Sequence, residues 1–203
     1  MIRESLPLDE LIKAQILDAL YKIEQEVEAT RHSLAEETCC ILSQLEILQQ
    51  HVTDVQTMAA SFYLHSYLAE HTPHYVDLSL AAKHLASRRH GALIVVERND
   101  PIHHLLYQGI PVGAKVSHAL LEAIFYPGNP LHDGGVHIRY DEIVSAGNIL
   151  PLAKHVDARK KLGTRHRAAI GLTEQSDALV IVVSEETGTI SFAINGQLYA
   201  LRS

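Results

Sequence analysis

Three short segments combine reactive residue types with backbone that would expose them. The first is Pro130-Leu131-His132-Asp133-Gly134-Gly135-Val136. An Asp followed by two glycines at the entrance to a β-branched run sets a carboxylate where the backbone is bare and a substrate can approach closely. Such a carboxylate can hold Mg²⁺ or Mn²⁺ and polarise a neighbouring hydroxyl. Taken alone, Asp-Gly is more often a tight turn whose side chain bonds only its own backbone. The second segment is Leu162-Gly163-Thr164-Arg165-His166-Arg167. Gly-Thr before a helical run resembles a loop-to-helix turn whose unpaired amides seat a phosphate, with Arg165 and Arg167 as guanidinium forks and Thr164 as hydroxyl donor. Its bland alternative is a solvated basic helix start. Arg31-His32 and Arg88-Arg89-His90 are similar in composition but lack the Gly-Thr turn, and read as surface or linker residues. The third segment, Ser184-Glu185-Glu186-Thr187-Gly188, ends an apolar run, so its acids sit at a sheet rim or simply form a charged hairpin loop.

Read together, a carboxylate-glycine turn, an Arg-His-Arg cradle and a second acidic cluster specify metal-assisted chemistry on a phosphate. Rival readings lack the spacing they need. The chain has 14 His, but His103, His104, His132 and His137 follow no metal-ligand pattern. Ser117 and Ser184 lack the turn of a hydrolase nucleophile, and no Walker loop is present.

The elements that must hold these segments divide in two. No glycine precedes Gly91 and no proline falls between Pro7 and Pro73, so this stretch is free to be helical. Apolar residues at 3- and 4-residue steps predict two amphipathic helices, starting near Ser5–Pro7 and separated near Thr30–Ser33. From about residue 75 the texture changes. Short β-branched runs at 92–97, 136–139, 142–150, 178–184 and 190–194 read as strands, and 80–89, 117–125 and 165–175 as helices, with Ser79 and Ser117 as N-caps. The expected fold class is α/β: a mixed, largely antiparallel-containing sheet flanked by helices, preceded by an α-helical segment. The expected division is 1–70 and 71–203.

Composition narrows the class. The 203 residues are 47% hydrophobic and carry a net charge of −7, which argues against a nucleic-acid coat protein or a polybasic membrane binder. Residues 1–70 account for −8 and residues 71–203 for +1. Locally, Lys154, Arg159, Lys160, Lys161, Arg165 and Arg167 face only Asp157. Adjacent Cys39 and Cys40 fit neither a disulfide framework nor a metal clamp, and no apolar run is long enough to span a membrane; a cytoplasmic protein is expected, with neither nucleic acid nor membrane as partner.

In order and spacing, Pro-Leu-His-Asp-Gly-Gly, Leu-Gly-Thr-Arg-His-Arg-Ala-Ala-Ile-Gly and Ser-Asp-Ala-Leu-Val-Ile-Val-Val-Ser-Glu-Glu-Thr-Gly resemble the diadenylate cyclase domain over residues 75–203. The helical pair is similar to that of the family's small soluble bacterial branch. The resemblance implies that two ATP are condensed to cyclic di-AMP with release of two pyrophosphates, using Mg²⁺ or Mn²⁺. It implies that Asp133 binds the metal and activates the ribose 3′-hydroxyl, with His132 and Glu186 as further metal ligands. Arg165, His166 and Arg167 join Asp133 as catalytic residues. Leu131 lines the adenine pocket, and Gly134, Gly135, Gly163, Thr164, Arg165, Arg167, Ser184 and Glu185 contact ATP. Two departures stand out: Gly135 replaces the usual Ala, and Ile149 stands where some members carry an aromatic. The reaction demands two domains face to face, so a homo-oligomer is expected, with the N-terminal helices setting its size. The alternative is a non-catalytic ATP or cyclic-dinucleotide binding module, against which Asp133, Arg165 and Glu186 argue.

Overall fold

The structure is a computed structural model that describes residues 10–35, 41–154 and 162–201. Cys39, Cys40, the start near Ser5–Pro7 and the basic run Arg159-Lys160-Lys161 with Asp157 lie outside the described residues. The chain forms two compact units, residues 1–63 and 64–203.

Two long helices come first, α1 (Glu10–Ala35) and α2 (Ile41–His71). The expected break near Thr30–Ser33 does not occur; α1 runs through to Ala35. The polar run interrupts the apolar stripe without stopping the helix, because Thr30 returns its hydroxyl to the Glu26 carbonyl at 2.7 Å and Arg31 pairs with Glu28, both bonds a helix accommodates. In α2, Thr53, Thr57 and Ser61 likewise bond carbonyls four residues back. The apolar stripes of both helices remain open to solvent, as at Leu17, Leu20, Leu42 and Leu45.

The second unit is a seven-stranded mixed sheet with helices on both faces. Its strands are β1 (Ala92–Glu97), β2 (Ile110–Lys115), β3 (Gly135–Arg139), β4 (Glu142–Asn148), β5 (Leu179–Val183), β6 (Ile190–Ile194) and β7 (Gln197–Ala200), in the order β2-β4-β3-β1-β5-β6-β7. Among the described strands only β1 and β3 run parallel; the other pairs are antiparallel. The strands β1, β5 and β6 are buried along their whole length, as strands covered on both faces must be. On one face Leu93, Val95, Val180 and Val182 pack against Ala168, Ala169 and Leu172 of α5 (Thr164–Thr173). The other face meets α3 (Tyr75–Ser87), which lies against β5, β6 and α4 (His118–Ile124).

Local chemistry explains the element ends. Ser117 caps α4 as expected, accepting from the Leu120 amide at 3.3 Å. Ser79 does not cap α3: the helix starts four residues earlier, and the Ser79 hydroxyl bonds the Tyr75 carbonyl from inside it. The edge strand β2 escapes the sequence reading because Pro111 and Gly113, at φ +63°, break its β signal; the register shifts between Pro111 and Ala114, where a bulge turns the edge.

Candidate functional site

A cleft of about 810 Å³ opens at one end of the sheet. The register pairs Ala92 with Val183 and Gly135 with Asn148, so this rim gathers the amino ends of the parallel strands β1 and β3 and the carboxyl ends of β4 and β5. Most open α/β sheets place ligands at the carboxyl ends of their parallel strands instead. Here the antiparallel neighbours supply the carboxyl ends.

His132, Asp133 and Gly134 form one wall and Thr164 and Arg165 of α5 another, with Glu185 on the loop after β5. Gly134 has φ +108°, and a Cβ there would lie 2.7 Å from the Gly147 carbonyl carbon and 2.8 Å from the Asn148 oxygen. Only glycine lets the chain pass this close to β4 and still present Asp133 at the rim. The preceding turn is pinned by Asn129, whose Oδ1 accepts from the Leu131 amide and whose Nδ2 donates to the Ala123 carbonyl. The His132 Nδ1 lies 2.5 Å from the Asn129 carbonyl oxygen. Because a carbonyl can only accept, Nδ1 carries a proton, and in the neutral ring the lone pair is then on Nε2.

Opposite, α5 begins after Gly163 without a side-chain cap, so among the described residues no side chain caps the amides of its first turn, which can meet an anion. Arg165 donates from Nη1 to Glu185 Oε2 at 2.7 Å, while its buried Nε has no hydrogen-bond partner among the described residues. Its guanidinium lies over Gly91, where a Cβ would come within 2.5 Å of Nη1. Burial, aided by the Arg165 charge, lowers the His166 pKa and keeps the ring neutral near pH 7; Glu186 opposes this weakly.

Several expected site residues do not line the cleft. At about 100° per residue, Thr164, Arg165 and Ala168 share one face of α5 while His166 and Arg167 turn away from it. Gly163 caps the helix from outside, and Leu131 lies in the Asn129 turn. Gly135 is buried as the first residue of β3, its carbonyl accepting from Asn148 Nδ2 at 2.8 Å. Ser184 Oγ accepts from the Thr187 amide inside the hairpin loop, and the cleft takes Glu185 rather than Glu186. Leu93, Gln108, Ile110, Gly147, Asn148, Ile149, Leu150 and Leu152 also line the cleft and lie outside the three segments. Most of these meet through pairing of β3 and β2 with β4, which local sequence does not reveal.

Among the described residues no three His, Cys, Asp or Glu side chains form a ready metal cluster. The Nε2 of His132 and the carboxylate of Asp133 are two adjacent donors on one wall. They fit an ion whose remaining coordination comes from phosphate oxygens.

Comparison with known proteins places the chain. Residues 79–198 match the family described as "DisA bacterial checkpoint controller nucleotide-binding", and residues 3–71 match "Diadenylate cyclase CdaS, N-terminal". The chain is 48% identical over 194 residues to diadenylate cyclase CdaS of Bacillus thuringiensis, covering 96% of each. It is 50% identical over 172 residues to cyclic di-AMP synthase CdaS of Bacillus subtilis, covering 84% of this chain and 82% of that one. A crystal structure described as a hypothetical membrane spanning protein from Bacillus cereus aligns with TM-score 0.77 at 47% identity, over 96% of this chain and 95% of the other. No described helix of the present chain is long and apolar enough to cross a membrane. DacA from Staphylococcus aureus aligns with TM-score 0.60 at 42% identity, over 63% of this chain and 85% of that one.

Proposed function

The chain belongs to the diadenylate cyclase family, and from that premise we propose how its cleft joins two ATP molecules into cyclic di-AMP. The observation that carries the reading is the placement of the Asp133 carboxylate on one wall and of Thr164 and Arg165 on another wall of a single cleft. The triphosphate lies along the first turn of α5, with the Thr164 hydroxyl and the Arg165 guanidinium as donors. Asp133 orients the 3′-hydroxyl of the ribose and takes its proton. That oxygen bonds to the α-phosphorus of the second ATP, the bond from this phosphorus to the β-phosphate oxygen breaks, and pyrophosphate leaves. The reciprocal step closes the ring and releases the second pyrophosphate. Asp133 and His132 would hold a divalent cation, Mg²⁺ or Mn²⁺, which would neutralise phosphate charge.

Each cleft supplies one nucleotide, so in-line attack requires two cleft mouths to face one another. Exposed Tyr107, Ile110, Ile149 and Leu152 at the mouth support such a contact. The open stripes of α1 and α2 support further self-association.

Incubation of the full chain with ATP and Mn²⁺ tests the reading, with products weighed by mass spectrometry. Cyclic di-AMP and pyrophosphate are expected, and Asp133→Asn is expected to lose the product by about a hundredfold or more. Formation of ADP or AMP without the cyclic dinucleotide would refute it.

A further inference from the structure

Two side-chain amides line the cleft, Asn148 and Gln108. Asn148 uses both amide atoms within the protein: its Nδ2 donates to the Gly135 carbonyl and its Oδ1 accepts from Ser145. Gln108 makes no hydrogen bond to another described residue. Its backbone is nevertheless held firmly. Its backbone sits at φ +60°, a conformation that non-glycine residues adopt rarely and keep only where the surroundings enforce it. On one side Tyr107 and Ile149 exchange two backbone bonds at 2.9 and 3.1 Å. On the other, Gly109 packs so tightly against the Asn148 side-chain oxygen that no Cβ would fit. A long amide with no hydrogen-bond partner among the described residues thus projects, exposed, from a fixed backbone position on a wall whose other members are Ile110, Ile149 and Leu150.

That wall lacks the phosphate-seating groups, which come from α5 and the loop after β5, so on the cyclase reading it faces the base. We infer that Gln108 is the residue that selects adenine. Its Oε1 accepts from the 6-amino group and its Nε2 donates to N7, the complementary pair that a glutamine amide offers adenine. Guanine presents two acceptors on the same edge, O6 and N7, so the amide satisfies one and sets its own oxygen against the other. A site built to bond a polar edge rejects an analogue that lacks it far better than an apolar wall does.

The inference rests on the cyclase reading, and its test separates the two. Calorimetry with the full-length chain and Mg²⁺ measures binding of the α,β-methylene analogues of ATP, GTP and 7-deaza-ATP, none of which can lose pyrophosphate. Gln108→Asn and Gln108→Gly are the variants, since Asn and Gly both accept positive φ. The wild type is expected to prefer the ATP analogue to the other two by about tenfold or more. Both variants are expected to bring the three affinities within about twofold, chiefly by weakening the ATP analogue. Retention of the wild-type preference in both variants, or its absence from the wild type, would overturn the role of Gln108 even where the wild type makes cyclic di-AMP. A wild type that binds no nucleotide would overturn the cyclase reading as well.

Discussion

Three glycines near the cleft differ in what they tolerate. At Gly134 an added Cβ meets backbone atoms at 2.7 and 2.8 Å in a left-handed conformation, so Gly134→Ala must move β3 against β4 and with it Asp133. At Gly91 the obstacle is the Arg165 guanidinium, and at Gly135 it is the Leu150 Cδ1 at 2.8 Å, the end of a flexible side chain. Gly134→Ala is expected to abolish activity and lower the melting temperature. Gly91→Ala keeps the fold but pushes Arg165 out of place, costing about a hundredfold in rate if one preorganised donor is lost. Gly135→Ala shifts Leu150 and alters KM for ATP by a few-fold with kcat little changed. Steady-state kinetics with thermal melts separates the three; Gly91→Ala with wild-type kcat/KM would refute the support of Arg165. The same comparison shows what is legible in sequence. Asp133, Gly134, Thr164 and Arg165 carry their chemistry in adjacent residues. Gln108 and Asn148 do not, because their roles follow from how residues 107 and 109 lie against 148 and 149, far away in the chain.

At the scale of elements, the far end of the parallel pair β1–β3 is tied by side chains. Glu97, 8% exposed, accepts from Arg139 Nε at 2.6 Å and from His137 Nε2 at 3.0 Å. Burial raises the Glu97 pKa, but the bonds from Arg139 and the Ile102 amide and the charges nearby outweigh it, and the net shift is downward. Burial dominates at His137 and lowers its pKa despite the carboxylate. The pair therefore holds an ionised Glu97 against a neutral His137. Both signs run the same way: each group binds its proton more readily in the unfolded chain, so stability falls as pH falls, first below about 6.5 for His137 and then below about 4.5 for Glu97. Thermal melts are expected to drop between pH 7 and 5, less steeply in His137→Gln; an equal slope in that variant would exclude His137 as a source. Arg139→Met, which removes the charged partner of a buried carboxylate, is expected to cost about 2 kcal/mol. The strands β1, β3 and β5 were readable from their β-branched runs. The pairing that sets Glu97 beside Arg139 was not, since it depends on a parallel crossover that leaves no local mark.

For the whole molecule, the two compact units and the helices do not share a boundary. Sequence texture divides the chain at 70/71, where the breaker-free stretch ends, yet α2 crosses from one unit to the other at residues 63 and 64. Its last two turns belong to the α/β unit: Leu64 and Leu68 are buried there, Leu68 to 1%, and Arg98 stacks over the Tyr67 ring at 5.4 Å. A chain starting at residue 71 would lose these contacts, at about 1.5–3 kcal/mol for each buried leucine. One starting at residue 64 keeps them. Since α1 and the first part of α2 leave Leu17, Leu20, Leu42 and Leu45 open, and one helical pair cannot bury two such stripes by itself, they are expected to associate with other copies. Removing residues 1–63 is therefore expected to leave a folded protein that forms a smaller particle in light scattering and has a changed specific activity. Removing residues 1–70 is expected to give the same particle change together with a lower melting temperature. If the residue-64 form keeps both the particle size and the specific activity of the full chain, the helices do not set the assembly. Equal melting temperatures for the two truncations would show that the end of α2 contributes no stability to the α/β unit.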